Sequence, residues 1–152
     1  MKLHKTIRLF ILLFGLFSAC AVKKSTNSIV SVKHGSSFGM CNGYCFHEFT
    51  YNESNGVKYS QGWGRTDLSN YPDKYDTCDF YKKDWDQLLL TLDTEKFYAL
   101  PEIIGCPDCA DGGAEWVEIR TKNKTVKVTF EFGMDVPEIS SLLAYLRDKE
   151  KP

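Results

Sequence analysis

Apolar and polar residues alternate with a period of two through residues 45–63, and this pattern predicts a β-hairpin. Residues 45–53 place a cysteine, a histidine and two aromatic rings on one face and the intervening side chains on the other. Residues 54–56, Ser-Asn-Gly, are turn chemistry, because Asn-Gly accommodates positive φ. Residues 57–63 then resume the alternation. Two antiparallel strands are therefore expected here.

The second half of the chain predicts two helices and two more strands. Residues 65–79 are rich in Asp, Asn and Pro and are interpreted as a loop. A helical stripe of Trp and Leu follows in 81–93, and a capping pattern with a second stripe occupies 135–146. Between them, 114–122 and 125–132 carry strand patterns. The order β-β-α-β-β-α predicts an α+β fold, a four-stranded antiparallel sheet with two helices on one face.

The amino terminus has the organisation of an export signal. Met1–Arg8 holds three basic residues and no acid, and Leu9–Phe17 is apolar but too short to span a bilayer as a permanent helix. The next residues, up to Cys20, are small. Phe17-Ser-Ala-Cys20 resembles the lipobox of bacterial lipoproteins, with Phe17 at the position where Leu is usual. That resemblance implies cleavage before Cys20 and a lipid on Cys20.

These patterns divide the chain into a signal peptide (1–19), a lipidated cysteine with a flexible tether (20–37) and a single α+β domain (38–152). The signal region holds three of the 19 basic residues and none of the 20 acidic ones, so the mature chain has a net charge of −4 with histidine neutral. A nucleic-acid partner is not expected, because phosphate binding needs a basic face. Lys23 and Lys24 lie in the tether and are interpreted as solvated, with contact to anionic lipid as the alternative.

Five cysteines remain once Cys20 is assigned to lipid, and in an exported chain they are disulfide candidates. They are Cys41, Cys45, Cys78, Cys106 and Cys109. Because five is odd, at least one thiol stays unpaired or pairs with another molecule. We expect one bridge between Cys106 and Cys109 and a second within Cys41, Cys45 and Cys78.

The pair Cys106 and Cys109 also admits two chemical alternatives. A redox pair needs a thiolate, which the negative charges of Asp108 and Asp111 disfavour. The residues after Cys109, Ala-Asp-Gly-Gly, also oppose the helix whose amino terminus would stabilise a thiolate. A zinc site would need Cys41 and Cys45 as two further sulfur ligands. A structural disulfide is the favoured interpretation, so neither a metal nor a cofactor is expected.

Other catalytic patterns are weak. Cys45 and His47 share a predicted strand face, so a nucleophile pair is geometrically possible, but a half-buried strand histidine is favoured. His34 falls in the predicted tether. The acidic segment 108–115 lacks the residue order of an EF-hand loop and is interpreted as a solvated turn. No catalytic residue is therefore assigned, and the protein is predicted not to be an enzyme.

Aromatic residues supply a different candidate. Tyr59, Trp63 and Trp116 could line a sheet surface that binds a ligand or a partner, although most aromatic side chains are expected to fill the core.

Four segments together resemble a group of small uncharacterised lipoproteins of diderm bacteria. They are FSAC, GMCNGYCFHEFTY, SNGVKYSQGW and CPDCADGGAEW, and the resemblance covers residues 38–146. It implies a cysteine-containing ββαββα domain, lipid-anchored in the cell envelope at the bacterial outer membrane. No activity comes with it. The expected function is a non-catalytic binding or assembly module for an unknown envelope protein or ligand, with a periplasmic thiol-disulfide redox protein or a zinc protein using Cys106 and Cys109 as the alternative.

Overall fold

Strands and helices alternate along the part of the chain that the computed structural model describes, which is residues 29–63 and 71–151 without the side chain of Trp63. The signal peptide, Cys20 and its neighbours Lys23 and Lys24 lie outside these residues. In chain order the elements are β1 (Ile29–Ser37), β2 (Gly43–Tyr51), β3 (Gly56–Trp63), β4 (Lys74–Cys78), α1 (Lys82–Thr91), α2 (Thr94–Ala99), β5 (Ile103–Ile104), β6 (Ala114–Thr121), β7 (Thr125–Glu131) and α3 (Ser140–Lys149).

All of these strands belong to one sheet, with the order β4-β3-β2-β1-β6-β7-β5. The pairs are antiparallel except for β5, which runs parallel to β7. The prediction of a four-stranded antiparallel sheet with two helices is therefore wrong, since the described residues form a seven-stranded mixed sheet with three α-helices. The expected β2–β3 hairpin, the β6–β7 pair and the helices α1 and α3 are present within it.

The main correction concerns β1. The sequence predicts a flexible tether over residues 20–37, yet residues 29–37 form the strand between β2 and β6. The alternation of apolar and polar residues does not reveal this strand, because His34 and Ser36 occupy positions on the helix-covered face where a predicted strand has apolar residues. Backbone pairing to two neighbours and ionic contacts of His34 stabilise the strand instead.

The other missed elements are short. β4 lies inside the predicted 65–79 loop and is held by backbone pairing to β3, without an apolar face of its own. β5 has only two residues, and α2 follows α1 after a break at Leu92 and Asp93. Asp93 caps α2 by accepting the backbone N–H of Lys96. None of these segments is long enough to show a clear period.

One face of the sheet carries the core and the helices. The register places Val32, Tyr51, Ile119 and Val128 on that face, where they join the buried leucines of α1 and α3. Full burial of each such side chain contributes roughly 1.5–3 kcal/mol. The opposite face, called here the open face, carries no helix from the residues that the structure describes. None of the helices in the described part of the chain is long and apolar enough to cross a bilayer.

Candidate functional site

Two disulfide-bridged loops lie at one end of the sheet. Cys41 is bonded to Cys45 and Cys106 to Cys109, with Cα separations of 5.7 and 5.5 Å. The disulfide bonds expected from the sequence are therefore present. We call residues 38–45 and 105–113 the bridged end.

Direct contacts tie the two loops of the bridged end to each other and to the end of β7. The backbone N–H of Gly39 donates to Asp108 Oδ1 at 3.3 Å, and the backbone N–H of Cys106 donates to Glu131 Oε1 at 2.9 Å. The rings of Phe38 and Phe132 pack edge to face at 4.7 Å. The loops therefore form one surface, on which Phe132 is substantially exposed.

The Cys106–Cys109 loop has an unusual backbone. Asp108, Ala110 and Asp111 have φ values of 60°, 51° and 59°, in the left-handed region that non-glycine residues rarely adopt. Asp tolerates this region because its side chain bonds locally, whereas Ala110 has no such compensation. The bridge encloses Asp108, and the turn that contains Ala110 and Asp111 is closed by backbone hydrogen bonds from Asp108 N–H to the Gly113 carbonyl and from Gly112 N–H to the Cys109 carbonyl.

The structure bears on the chemical alternatives for these cysteines. All four sulfurs of the zinc alternative are engaged in the two disulfides, and no cluster of three or more metal-ligand side chains occurs in the described residues. Among the acidic residues of segment 108–115, Asp108 accepts the Gly39 N–H, while Glu115 is buried under α3. These carboxylates do not converge.

Cys78 carries the thiol that stays outside a disulfide among the described cysteines. It lies at the end of β4 and is half-buried. Burial raises the pKa of this thiol, which makes it a poor nucleophile at neutral pH.

We predict the thiol chemistry of the mature chain with Cys20 replaced by serine. One thiol should react before reduction and five after reduction and unfolding, because two disulfides hold four sulfurs. After reduction, Cys106 and Cys109 should be alkylated at pH 7 no faster than glutathione, since the Asp108, Asp111 and Glu131 carboxylates disfavour a thiolate. Rapid alkylation of this pair in a Cys78→Ala background would instead favour the redox alternative.

Cys45 and His47 do not form a nucleophile pair. Cys45 is bonded to Cys41, and His47 Nδ1 lies 3.0 Å from Ser60 Oγ on β3. Burial lowers the pKa of His47, and the positive charge of Lys58 lowers it further. His47 is thus a neutral histidine that packs within the β2–β3 hairpin.

A buried ion cluster, which the sequence pattern did not reveal, lies under α3. His34 Nε2 lies 2.7 Å from Glu115 Oε1, and its Nδ1 lies 2.8 Å from the carboxylate of Glu150. Arg147 Nε and Nη2 donate to the two oxygens of Glu115 at 2.8 Å each. The Tyr51 hydroxyl donates to Glu150 Oε1 at 3.3 Å. Two cations and two anions balance one another, and we call His34, Glu115, Arg147 and Glu150 the ion cluster.

The environment of the cluster fixes its charge states. Burial alone would lower the pKa of His34, but the hydrogen bonds and negative charges of Glu115 and Glu150 outweigh it and raise the pKa to about 9. Burial alone would raise the pKa of Glu115, but the hydrogen bonds from His34, Arg147 and the Gly133 N–H lower it to about 2. His34 is therefore an imidazolium and Glu115 a carboxylate at neutral pH.

Glu150 is the weaker carboxylate of the pair that flanks His34. Burial raises its pKa, and the hydrogen bonds to His34 and Tyr51 offset only part of that effect. A cavity of about 430 Å³ opens beside Glu150, Arg147 and Ser36. Since both ring nitrogens of His34 are engaged by carboxylates, the cluster fastens the end of α3 to β1 and β6, and the imidazole itself is not a free base.

The stability conferred by the cluster should depend on pH in two ranges. His34 has a folded pKa of about 9 against 6.5, so its contribution is full below pH 6.5 and is lost as pH rises through 9. Glu115 has a folded pKa of about 2 against 4.5, so its contribution is present above pH 4.5 and is lost as pH falls through 2. The alkaline loss should be on the order of 3 kcal/mol.

Urea unfolding at a series of pH values measures this dependence. The alkaline decline should disappear in His34→Gln and persist in His47→Gln, the matched control. Persistence of the same decline in His34→Gln would show that another group causes it.

A row of aromatic rings crosses the open face. The ring centres of Trp116 on β6 and Phe46 on β2 are 5.1 Å apart. Those of Phe46 and Tyr59 on β3 are 5.7 Å apart, and those of Tyr59 and Tyr75 on β4 are 4.8 Å apart. The Trp116 ring passes over Gly35 of β1, where a Cβ would come within 2.4 Å of it. We call Trp116, Phe46, Tyr59 and Tyr75 the aromatic row.

Exposure changes along the aromatic row. Trp116 is 3% exposed, with Lys127 Nζ 4.3 Å above its ring, whereas Tyr75 on the edge strand is 71% exposed. Of the aromatic residues that the sequence suggested for a binding surface, Tyr59 and Trp116 therefore do share a sheet face, and Trp63 contributes no described side chain. The accessible part of the row lies towards β4.

No protein-family model and no curated protein matches the chain.

Proposed function

We propose that the protein is a lipid-anchored envelope protein, acylated at Cys20 after removal of residues 1–19, whose domain is a non-catalytic binding or assembly module at the outer membrane. The observation that carries the proposal is the Phe17-Ser-Ala-Cys20 segment directly after a basic and then apolar leader. Several acyl chains on Cys20 would anchor the chain stably, since each buried methylene contributes about 0.8 kcal/mol.

The disulfides support export. Four of the five remaining cysteines are paired in two bridges, and such bridges persist in oxidising compartments and are rare in reducing ones. Each loop is short, so the entropy that a bridge removes from the unfolded chain stabilises the folded state by only about 2 kcal/mol. Their main effect is to fix the bridged end in one conformation.

The aromatic row supports binding. Phe46 and Tyr59 are partly accessible, and Tyr75 is exposed on β4, the last strand on that side of the sheet among the described residues. Aromatic side chains are enriched at protein interfaces, because they provide large contact areas at low conformational cost. The ion cluster supports the non-catalytic assignment, because its imidazole has a carboxylate on each nitrogen.

Metabolic labelling with a fatty acid tests the anchor. Wild-type protein should incorporate label and partition into detergent, and Cys20→Ala should abolish both. Cys78→Ala is the matched control, because it removes the other cysteine that is not in a disulfide. Label that is lost in Cys78→Ala and retained in Cys20→Ala would contradict the proposal.

Site-specific photo-crosslinking in cells tests the binding face. A crosslinker in place of Tyr75 should give one discrete adduct, and that adduct should be lost when Tyr59→Ala is added. A crosslinker in place of Leu90, an equally exposed residue of α1, should give no such adduct. Equal yields from both positions would contradict binding through the open face.

A further inference from the structure

Four basic residues cluster on the turn that joins β6 to β7. Arg120, Lys122, Lys124 and Lys127 are all exposed, and no acidic residue occurs from 119 to 130. We call residues 120–127 the basic hairpin. It contrasts with the mature chain as a whole, whose net charge is −4 with histidine neutral.

The turn of the basic hairpin is ordered. The backbone N–H of Thr121 donates to the Lys124 carbonyl at 2.8 Å, and Thr121 Oγ1 accepts the backbone N–H groups of Asn123 and Lys124 at 3.3 and 3.0 Å. These bonds fix the backbone of the turn from which the basic side chains extend. A fixed backbone loses less entropy on binding than a flexible tail would.

The charges of the basic hairpin are not neutralised within the described residues. None of the four side chains forms an ion pair there, and two of them lie over aromatic rings instead. Lys124 Nζ is 3.4 Å from the centre of the Tyr98 ring, and Lys127 covers Trp116. Arg120 and Lys122 are exposed and form neither kind of contact within the described residues, so an anionic partner can reach them.

The basic hairpin lies where the chain leaves the domain towards Cys20. Ile29 is opposite Thr121 in the register of β1 and β6. Cys20 precedes Ile29 by nine residues, which span about 32 Å at most. The bridged end is at the other end of β1, roughly 30 Å away along nine strand residues.

We propose that the basic hairpin binds the anionic headgroups of the membrane in which Cys20 is anchored; this inference rests on the proposed function. Polybasic segments close to a lipid anchor are attracted to anionic lipid, and a second membrane contact strengthens anchoring. An open depression of about 510 Å³, lined by Val30 and residues 120–125, provides room for a headgroup among the cations. The sheet then stands with the bridged end away from the bilayer.

Vesicle sedimentation of the mature chain with Cys20→Ser tests the hairpin without the lipid. The chain should bind phosphatidylcholine vesicles that contain phosphatidylglycerol, and should not bind pure phosphatidylcholine vesicles. Arg120→Gln with Lys122→Gln should reduce the partition coefficient roughly 25-fold, since each cation near an anionic surface contributes about fivefold. Added salt should weaken binding, because the charges are exposed.

Lys74→Gln with Lys151→Gln is the matched control, because it removes the same charge from exposed sites away from the hairpin. This control should bind like the parent. Equal losses in the two double variants, or equal binding to neutral and anionic vesicles, would overturn the proposal. The vesicle result is independent of fatty-acid labelling, because the tested chain has no acylated cysteine. Vesicle binding without fatty-acid label in cells would contradict the anchor alone. Label in cells without vesicle binding would contradict the hairpin proposal alone.

Discussion

Replacing His34 with alanine is expected to lower the free energy of unfolding by roughly 3–5 kcal/mol. The substitution leaves Glu115, 2% exposed, and the largely covered Glu150 without the imidazolium that lies between them. Breaking a buried ion pair by removing one partner costs this much. Glu150 loses the cation that pairs with it in the described residues, while Glu115 keeps Arg147 alone. Urea denaturation monitored by circular dichroism measures the effect.

Lys33→Ala is the control for His34→Ala. Lys33 is the adjacent residue of β1, and its ion pair with Glu48 on the open face is partly solvated. Its removal should cost at most about 1 kcal/mol. A His34→Ala protein as stable as Lys33→Ala would show that the ion cluster does not fasten α3 to the sheet.

Replacing Trp116 with alanine is expected to cost roughly 3–5 kcal/mol, although the residue lies on the open face. Its ring is 3% exposed and packs over Gly35, against Phe46 and beneath Lys127. The indole N–H also reaches Glu48 at 3.4 Å. The inner end of the aromatic row therefore acts as a second, smaller core on the uncovered side of the sheet.

Tyr75→Ala is the matched control for Trp116→Ala, because it removes the exposed ring at the other end of the same row. It should change the free energy of unfolding by no more than about 0.5 kcal/mol. Equal losses of unfolding free energy in the two variants would contradict the conclusion that Trp116 is a packing residue and Tyr75 is not. Both values come from the same urea denaturation experiment.

The strands that the sequence predicted are those whose buried face is apolar. In β7, Val126, Val128 and Phe130 point towards the helices and give a clear period of two. In β1 the corresponding positions include His34 and Ser36, so a central strand has the composition of a tether. Hydrophobic periodicity cannot identify a strand whose buried positions are filled by compensated charges.

The candidate sites also differ in how far the sequence alone could predict them. The disulfides follow from local spacing and from the oxidising compartment that the predicted export signal would imply, so they were predictable. The ion cluster depends on contacts across 81 residues, from His34 to Glu115, and across 116 residues, from His34 to Glu150. No local pattern encodes such separations. A histidine in a segment otherwise interpreted as a spacer was the available signal.

The basic hairpin illustrates how topology adds meaning to a local charge pattern. Residues 120–127 alone are a solvated turn between two strands. Only the pairing of Ile29 with Thr121 places this turn at the end of the sheet from which the chain leads to Cys20. The same strand pair places the bridged end, with its exposed Met40, at the opposite end of β1 from Ile29.

The most direct test of a lipid-anchored, disulfide-bridged protein is the intact mass of the full chain after extraction from membranes with detergent. The account predicts a chain that begins at Cys20 and carries the added mass of its acyl groups. Reduction should raise that mass by four hydrogens, because two disulfides open. A chain that retains Met1, carries no acyl mass, or does not change mass on reduction would contradict the account.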